Sequence, residues 1–110
     1  MSDRITHNSG SGDPLTRILD SIDRGLSDFG EDVKIAIYWR LENDYEMSRR
    51  DAVIKPELFA SGLSKIFGVG AKVVERKIVA QIRASFGIPT AAGEDLVSII
   101  NHAKTMMREI

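Results

Sequence analysis

The chain has 110 residues, of which 43% are hydrophobic, and its formal net charge is −1. This length and apolar content suit one domain with a single core. The absence of cysteine excludes disulfide scaffolds, thiolate metal sites and thiol nucleophiles. No apolar run approaches the roughly 20 residues of a membrane span, and residues 1–14 contain no apolar run of a signal peptide. We therefore expect a cytoplasmic protein with no membrane partner.

Helical periodicity along the chain predicts an all-α fold, a compact bundle of four main helices plus a short helical turn. Residues 1–12 are small and polar, which predicts a disordered leader and leaves 13–110 as a single helical domain. Asp13 and Pro14 are suited to the N-cap and first position of helix one, which should end near Gly30. Its apolar positions are Leu15, Ile18, Leu19, Ile22 and Leu26.

The second predicted helix, over 31–44, is apolar on two sides. Val33, Ile37 and Leu41 form one row at a spacing of four residues. Ile35 and Trp39 form another row on roughly the opposite side. Such a helix is either central to its own domain or shared with a partner. Ile35 and Trp39 are therefore the candidate self-association residues.

The segment 56–88 predicts two helices joined by a glycine elbow, Gly68-Val69-Gly70. Pro56 suits the first turn of the first helix, and Gly87 suits the end of the second. If the elbow needs a left-handed or crowded backbone at Gly70, then Gly70→Val should destabilise the fold by on the order of 1–3 kcal/mol. A short turn of helix is expected over 49–53.

The last predicted helix, over 92–109, has one broad apolar face. That face can dock on the protein's own core or on a neighbouring chain, and the pattern leaves both open. The apolar positions are Leu96, Ile99, Ile100, Ala103, Met106, Met107 and Ile110.

Charge is distributed unevenly along the chain. Residues 1–48 hold five basic and ten acidic residues, whereas residues 49–85 hold eight basic and three acidic ones. Lys72, Arg76 and Arg83 are predicted to lie on one solvent-facing side of the elbow's second helix, and we call these three residues the basic stripe. A basic surface opposite an acidic half can bind an anion or another copy of the same chain. A solvated surface with local ion pairs is the alternative.

The elbow resembles the helix-hairpin-helix motif of nucleic-acid-binding proteins, in which a hydrophobic-Gly-hydrophobic-Gly turn presents backbone N–H groups to a phosphate. Val74 departs from that motif, which usually has alanine there for close helix packing. The resemblance implies that Lys65 and Lys72 flank the phosphate. The matching positions are Ile66, Gly68, Val69, Gly70 and Ile78.

A broader stretch, about half of the chain, is similar to a small thaumarchaeal family of predicted signal-output domains. The elbow 66–71 is the most distinctive part of the match. Domains of that family often have no attached enzyme. The resemblance implies a regulatory or interaction role, and it supplies no catalytic residues. The other matching positions are Ile35, Tyr38, Leu41, Pro56, Glu57, Leu58, Phe59, Leu63, Ile78, Phe86 and Gly87.

The residues give little support for catalysis. His7 and His102 have no partner at a metal-ligand spacing, and no nucleophile-elbow serine or P-loop occurs. Asp20 and Asp23 are read as solvated acids. We therefore expect a non-enzymatic regulatory or protein-interaction module without a cofactor, self-associating or binding a protein partner. The alternative is a nucleic-acid-binding protein that uses the elbow with Lys65, Gly68, Gly70, Lys72, Arg76 and Arg83.

Overall fold

The computed structural model describes residues 14–90 and 94–108. The predicted leader, 1–12, the predicted N-cap Asp13 and the predicted apolar position Ile110 lie outside these residues. The prediction of an all-α bundle is confirmed. The described part has five longer helices, two of them the predicted arms of the elbow, and one short helix. They are α1 (Pro14–Ser27), α2 (Glu31–Tyr45), α3 (Asp51–Ile54), α4 (Pro56–Phe67), α5 (Ala71–Phe86) and α6 (Leu96–Arg108), with a 3-10 turn over Gly68–Gly70 between α4 and α5.

Helix ends follow local signals. Pro56 occupies the start of α4, where its missing N–H is not needed. Gly87 ends α5 in the left-handed conformation, with φ 65°. The start of α6 differs from the prediction by about four residues, since α6 begins at Leu96 rather than near residue 92. The Asp95 carboxylate accepts a hydrogen bond from the Ser98 backbone N–H at 2.9 Å, which caps the helix at this point.

The core forms where α1 and α5 pack side by side. Helix α6 packs against α1, α4 and α5, and α2 packs mainly on α1 with a smaller contact to α4. Leu96, Ile99, Ile100 and Ala103 are thus buried against the protein's own core, and Met106 and Met107 are partly buried. Of the two alternatives left open by the sequence, the described part of α6 docks on its own core. The largest fully buried side chains are Ile18, Ile22, Leu26, Leu41, Val53, Phe59, Leu63, Ile78, Ile82, Leu96, Ile99 and Ile100.

Two glycines inside helices mark close approaches between helices. A Cβ at Gly25 would lie 2.7 Å from the Ile78 Cα, so α1 and α5 meet backbone to backbone at this point. A Cβ at Gly62 would lie 2.5 Å from the Leu41 Cδ2, where α4 meets α2. A methyl group at Gly25 would overlap backbone, which explains a glycine there despite its low helix propensity, whereas at Gly62 the Leu41 side chain would have to shift.

Candidate interaction surfaces

The solvent-facing side of α2 carries large apolar side chains. Ile35 and Trp39 are 62% and 60% exposed, while Ile37 and Leu41 on the other side of the helix are buried. The structure therefore places Ile35 and Trp39 where the periodicity predicted, and their role in self-association stays a prediction. Val33, expected in the buried row, is partly exposed at its edge.

Acidic residues flank this apolar pair. Asp32, Ile35, Trp39 and Glu42 follow one another at spacings of three, four and three residues, which places them in one line along the helix. We call these four residues the α2 outer face. Asp32 and Glu42 are exposed, and neither forms an ion pair with any residue that the structure describes. Both ends of the apolar pair are therefore negatively charged.

A hydrogen-bonded cluster fixes the orientation of α2. The Tyr38 hydroxyl donates to the Asp23 Oδ1 on α1 at 2.6 Å. The Arg49 guanidinium donates to the same carboxylate and forms an ion pair with it. Burial and the hydrogen bond to Asp23 raise the pKa of Tyr38 well above its ordinary value. Asp23 is thus a structural residue, not the solvated acid that the sequence indicated.

The elbow turn is shaped by Gly68. Its backbone has φ 59° and ψ −131°, a conformation open in practice only to glycine, and its N–H donates to the Ser64 carbonyl. Gly70 has φ −70° and ψ −12°, an ordinary helical conformation, and a Cβ there would meet nothing closer than the Phe67 Cβ at 3.9 Å. The expectation of a left-handed or crowded backbone at Gly70 is therefore wrong, and the special position is Gly68.

The tip of the elbow is apolar and exposed. Val69 is 98% exposed, and Val73, one turn further along α5, is 49% exposed. Lys72 and Arg76 are exposed on the same part of α5. We call Val69, Lys72, Val73 and Arg76 the elbow face. In the sequence, Val69 is identified only as a position of the helix-hairpin-helix motif. Its place between two glycines in a turn already favours exposure, because few neighbouring side chains can bury it there.

The basic stripe is interrupted in the structure. The Arg83 side chain is only 13% exposed, and its Nη2 lies 3.0 Å from the Glu94 Oε1. Arg83 also donates to the Pro89 carbonyl, so it ties the end of α5 to the segment that precedes α6. The prediction of Arg83 as part of a solvent-facing stripe is wrong, because the fold brings an acid to it. Lys72 and Arg76 remain exposed.

Acidic side chains also line a groove beside Lys72 and Arg76. This groove, of about 540 Å³, lies between α5 and the start of α6. Lys72, Arg76 and Arg83 line it together with Glu75, Glu94 and Asp95, so basic and acidic side chains are present in equal number. The Lys72 Nζ also lies 3.9 Å from the Glu75 Oε1. A groove of mixed charge does not present the strongly basic surface typical of a phosphate-binding site.

Lys65, expected to flank a phosphate, and His102, considered as a metal ligand, each contact another side chain. The Lys65 Nζ lies 5.4 Å above the Tyr45 ring centroid, a cation–π contact that joins α4 to the end of α2. The His102 Nδ1 lies 3.6 Å from the Glu94 Oε2. Among the described residues, no group of three or more His, Cys, Asp or Glu side chains is arranged to hold a metal ion.

Within the described ranges, no helix has the length and apolar character needed to cross a membrane. Comparisons with protein-family models, with curated proteins and with solved structures give no match to this chain.

Proposed function

We propose that the protein is a non-enzymatic regulatory or interaction module of the cytoplasm that works by docking its α2 outer face on another protein chain, in the first place another copy of itself. The observation that carries this proposal is the exposure of Ile35 and Trp39 on a helix whose other side buries Ile37 and Leu41 in the core. Tryptophan is among the residues that contribute most when buried in protein interfaces. The resemblance to signal-output domains supports a role of the same kind.

The rigidity of the surface also supports docking. Asp23 and Arg49 hold Tyr38 on the side of α2 next to α1, so the outer face is presented in one orientation before a partner arrives. Such preorganisation lowers the entropy cost of association. Acids at both ends of the apolar pair would give a partner's basic groups a fixed register.

The mass of the protein in solution tests the proposal. We expect the mass from light scattering to rise with concentration, and Trp39→Asp to remain at single-chain mass with unchanged helical content by circular dichroism. Leu58→Asp is the matched control, because Leu58 is an exposed large apolar residue, 51% exposed, on a different helix. A parent protein at single-chain mass at high concentration, or a Trp39→Asp variant that associates as the parent does, would refute self-association.

Nucleic-acid binding through the elbow is the second candidate, favoured by the exposed tip with Lys72 and Arg76. Because Arg83 is paired with Glu94, at most these two basic residues of the stripe are available to phosphates. Two phosphate contacts imply a log–log salt slope of roughly −2 on duplex DNA.

A gel-shift titration of duplex DNA at two salt concentrations tests this candidate, with Lys72→Gln/Arg76→Gln as the variant. We expect no binding at moderate salt in the parent. Binding that weakens with salt and is lost in the variant would favour the second candidate.

A further inference from the structure

We propose that the α2 outer face of one copy docks on the elbow face of a second copy, so that chains associate head to tail. This inference rests on the self-association proposed above and assigns its second surface. The two faces lie on different parts of the same chain, and each has an exposed apolar pair. The exposed charged residues are Asp32 and Glu42 on the first face and Lys72 and Arg76 on the second, where Glu75 is less exposed.

The apolar pair of the elbow face has the same spacing as the apolar pair of the α2 outer face. Val69 and Val73 are four residues apart, as Ile35 and Trp39 are, so each pair forms a short apolar line along a helix or its first turn. The exposed Lys72 lies beside the valine pair and Arg76 continues its line along α5. Arg76 forms no ion pair with the described residues, and the Lys72 contact to Glu75 is long, at 3.9 Å.

Charge disfavours the simpler symmetric arrangement. If two α2 outer faces packed antiparallel, Asp32 of each copy would face Glu42 of the other. If they packed parallel, each acid would face its own counterpart. Either arrangement brings like charges together next to the apolar pair, which weakens association. Docking on the elbow face instead places the acids of the α2 outer face opposite a surface that carries the exposed Lys72 and Arg76.

One other exposed apolar pair exists among the described residues of the bundle, and its charge fits less well. Ile54 and Leu58 are 50% and 51% exposed at the junction of α3 and α4. The exposed Lys55 lies between them, but so does the exposed Glu57, which would repel the acids of the α2 outer face. This pair therefore serves as the control surface.

A head-to-tail interface leaves one free face at each end of every assembly. Such heterologous contacts produce closed rings or open chains rather than a symmetric dimer. The parent protein should therefore form species larger than two chains as its concentration rises.

Mixing two complementary variants tests the inference. The first, Ile35→Ser/Trp39→Ser, keeps an intact elbow face, and the second, Val69→Ser/Val73→Ser, keeps an intact α2 outer face. We expect each variant alone to show single-chain mass by sedimentation velocity, and an equimolar mixture to form a two-chain species and nothing larger. Removing a central interface tryptophan weakens association by roughly 30-fold or more, so the single-variant effect is measurable.

A charge exchange gives an independent second test. Asp32→Lys/Glu42→Lys makes the α2 outer face basic, and Lys72→Glu/Arg76→Glu makes the elbow face acidic. We expect each variant alone to associate at least about tenfold more weakly than the parent, and their mixture to recover the parent's larger species. All four substitutions are at exposed positions, and circular dichroism confirms that each variant is folded.

Three outcomes would overturn the inference. If the elbow variants associate as the parent does while the Ile35/Trp39 variant is a single chain, the proposed self-association stands and the elbow assignment fails. If Leu58→Ser disperses the assembly as strongly as the elbow variants, the second surface is the one at Leu58. If the parent is a single chain at every concentration, both the inference and the self-association fail.

Discussion

Replacing Gly68 by alanine should destabilise the protein even though a methyl group there would meet no other part of the fold. Apart from the adjoining backbone, no atom lies within 4 Å of the position that a Cβ would take, so the effect comes from the backbone conformation of residue 68. At φ 59° and ψ −131° a residue with a Cβ is strained, at a cost of about 1–3 kcal/mol. Alanine also lowers the conformational entropy of the unfolded chain, which stabilises the protein by about 0.4–1 kcal/mol. The net expectation is a loss of about 1–2 kcal/mol.

Gly70→Ala is the matched control for this variant. Its backbone conformation suits any residue, and the nearest atom to a new Cβ is 3.9 Å away. We expect it to be neutral or to stabilise the protein by up to about 1 kcal/mol.

Thermal unfolding followed by circular dichroism measures both effects. In a domain of this size each kcal/mol shifts the midpoint by roughly 4–8 °C, so the two variants should separate clearly. A Gly68→Ala variant as stable as the parent, or a Gly70→Ala variant that loses several degrees, would refute the assignment of the special backbone position to Gly68.

Three further predictions concern the bundle itself. Gly25→Ala should lower the free energy of unfolding by about 1–3 kcal/mol in denaturant titration, because the new methyl group would overlap the Ile78 backbone; an unchanged midpoint would contradict the close approach. Burial and hydrogen bonding raise the folded-state pKa of Tyr38, so its contribution to stability is complete below about pH 10 and is lost as pH rises further. Tyr38→Phe should therefore lose about 1 kcal/mol at neutral pH and flatten the alkaline decline, and an identical decline in parent and variant would rule this out. Asp95→Ala should cost about 1 kcal/mol at neutral pH, and because the hydrogen bond from Ser98 lowers the pKa of Asp95, the difference from the parent should shrink as pH falls below about 4; a constant difference would argue against the cap.

Much of the fold was predictable because it depends on local signals. Pro56 and Gly87 each act through their own backbone, so the helix ends that they mark follow from sequence alone. The start of α6 was misplaced because apolar spacing does not decide which of several preceding residues becomes the cap. Asp95 does so through a hydrogen bond to a neighbour three residues away.

The candidate surfaces were likewise predictable only where they depend on local signals. Periodicity places Ile35 and Trp39 on the outside of α2, since two rows on one helix cannot both face the same core. Arg83 could not be judged from α5 alone, because its partner Glu94 comes from beyond the loop that follows α5. A Gly-x-Gly pattern likewise does not tell which glycine takes the unusual conformation.

The one-sided packing of α2 has a dynamic consequence. This helix is held mainly by α1 and by a smaller contact to α4, so its backbone amides should exchange with deuterium sooner than those of α5. Elements with few buried contacts open at a lower free energy than the rest of a domain. A chain bound to α2 at 100 times its Kd would slow this local opening by about 100-fold. Deuterium uptake by α2 therefore reports whether its outer face is covered, whichever partner covers it.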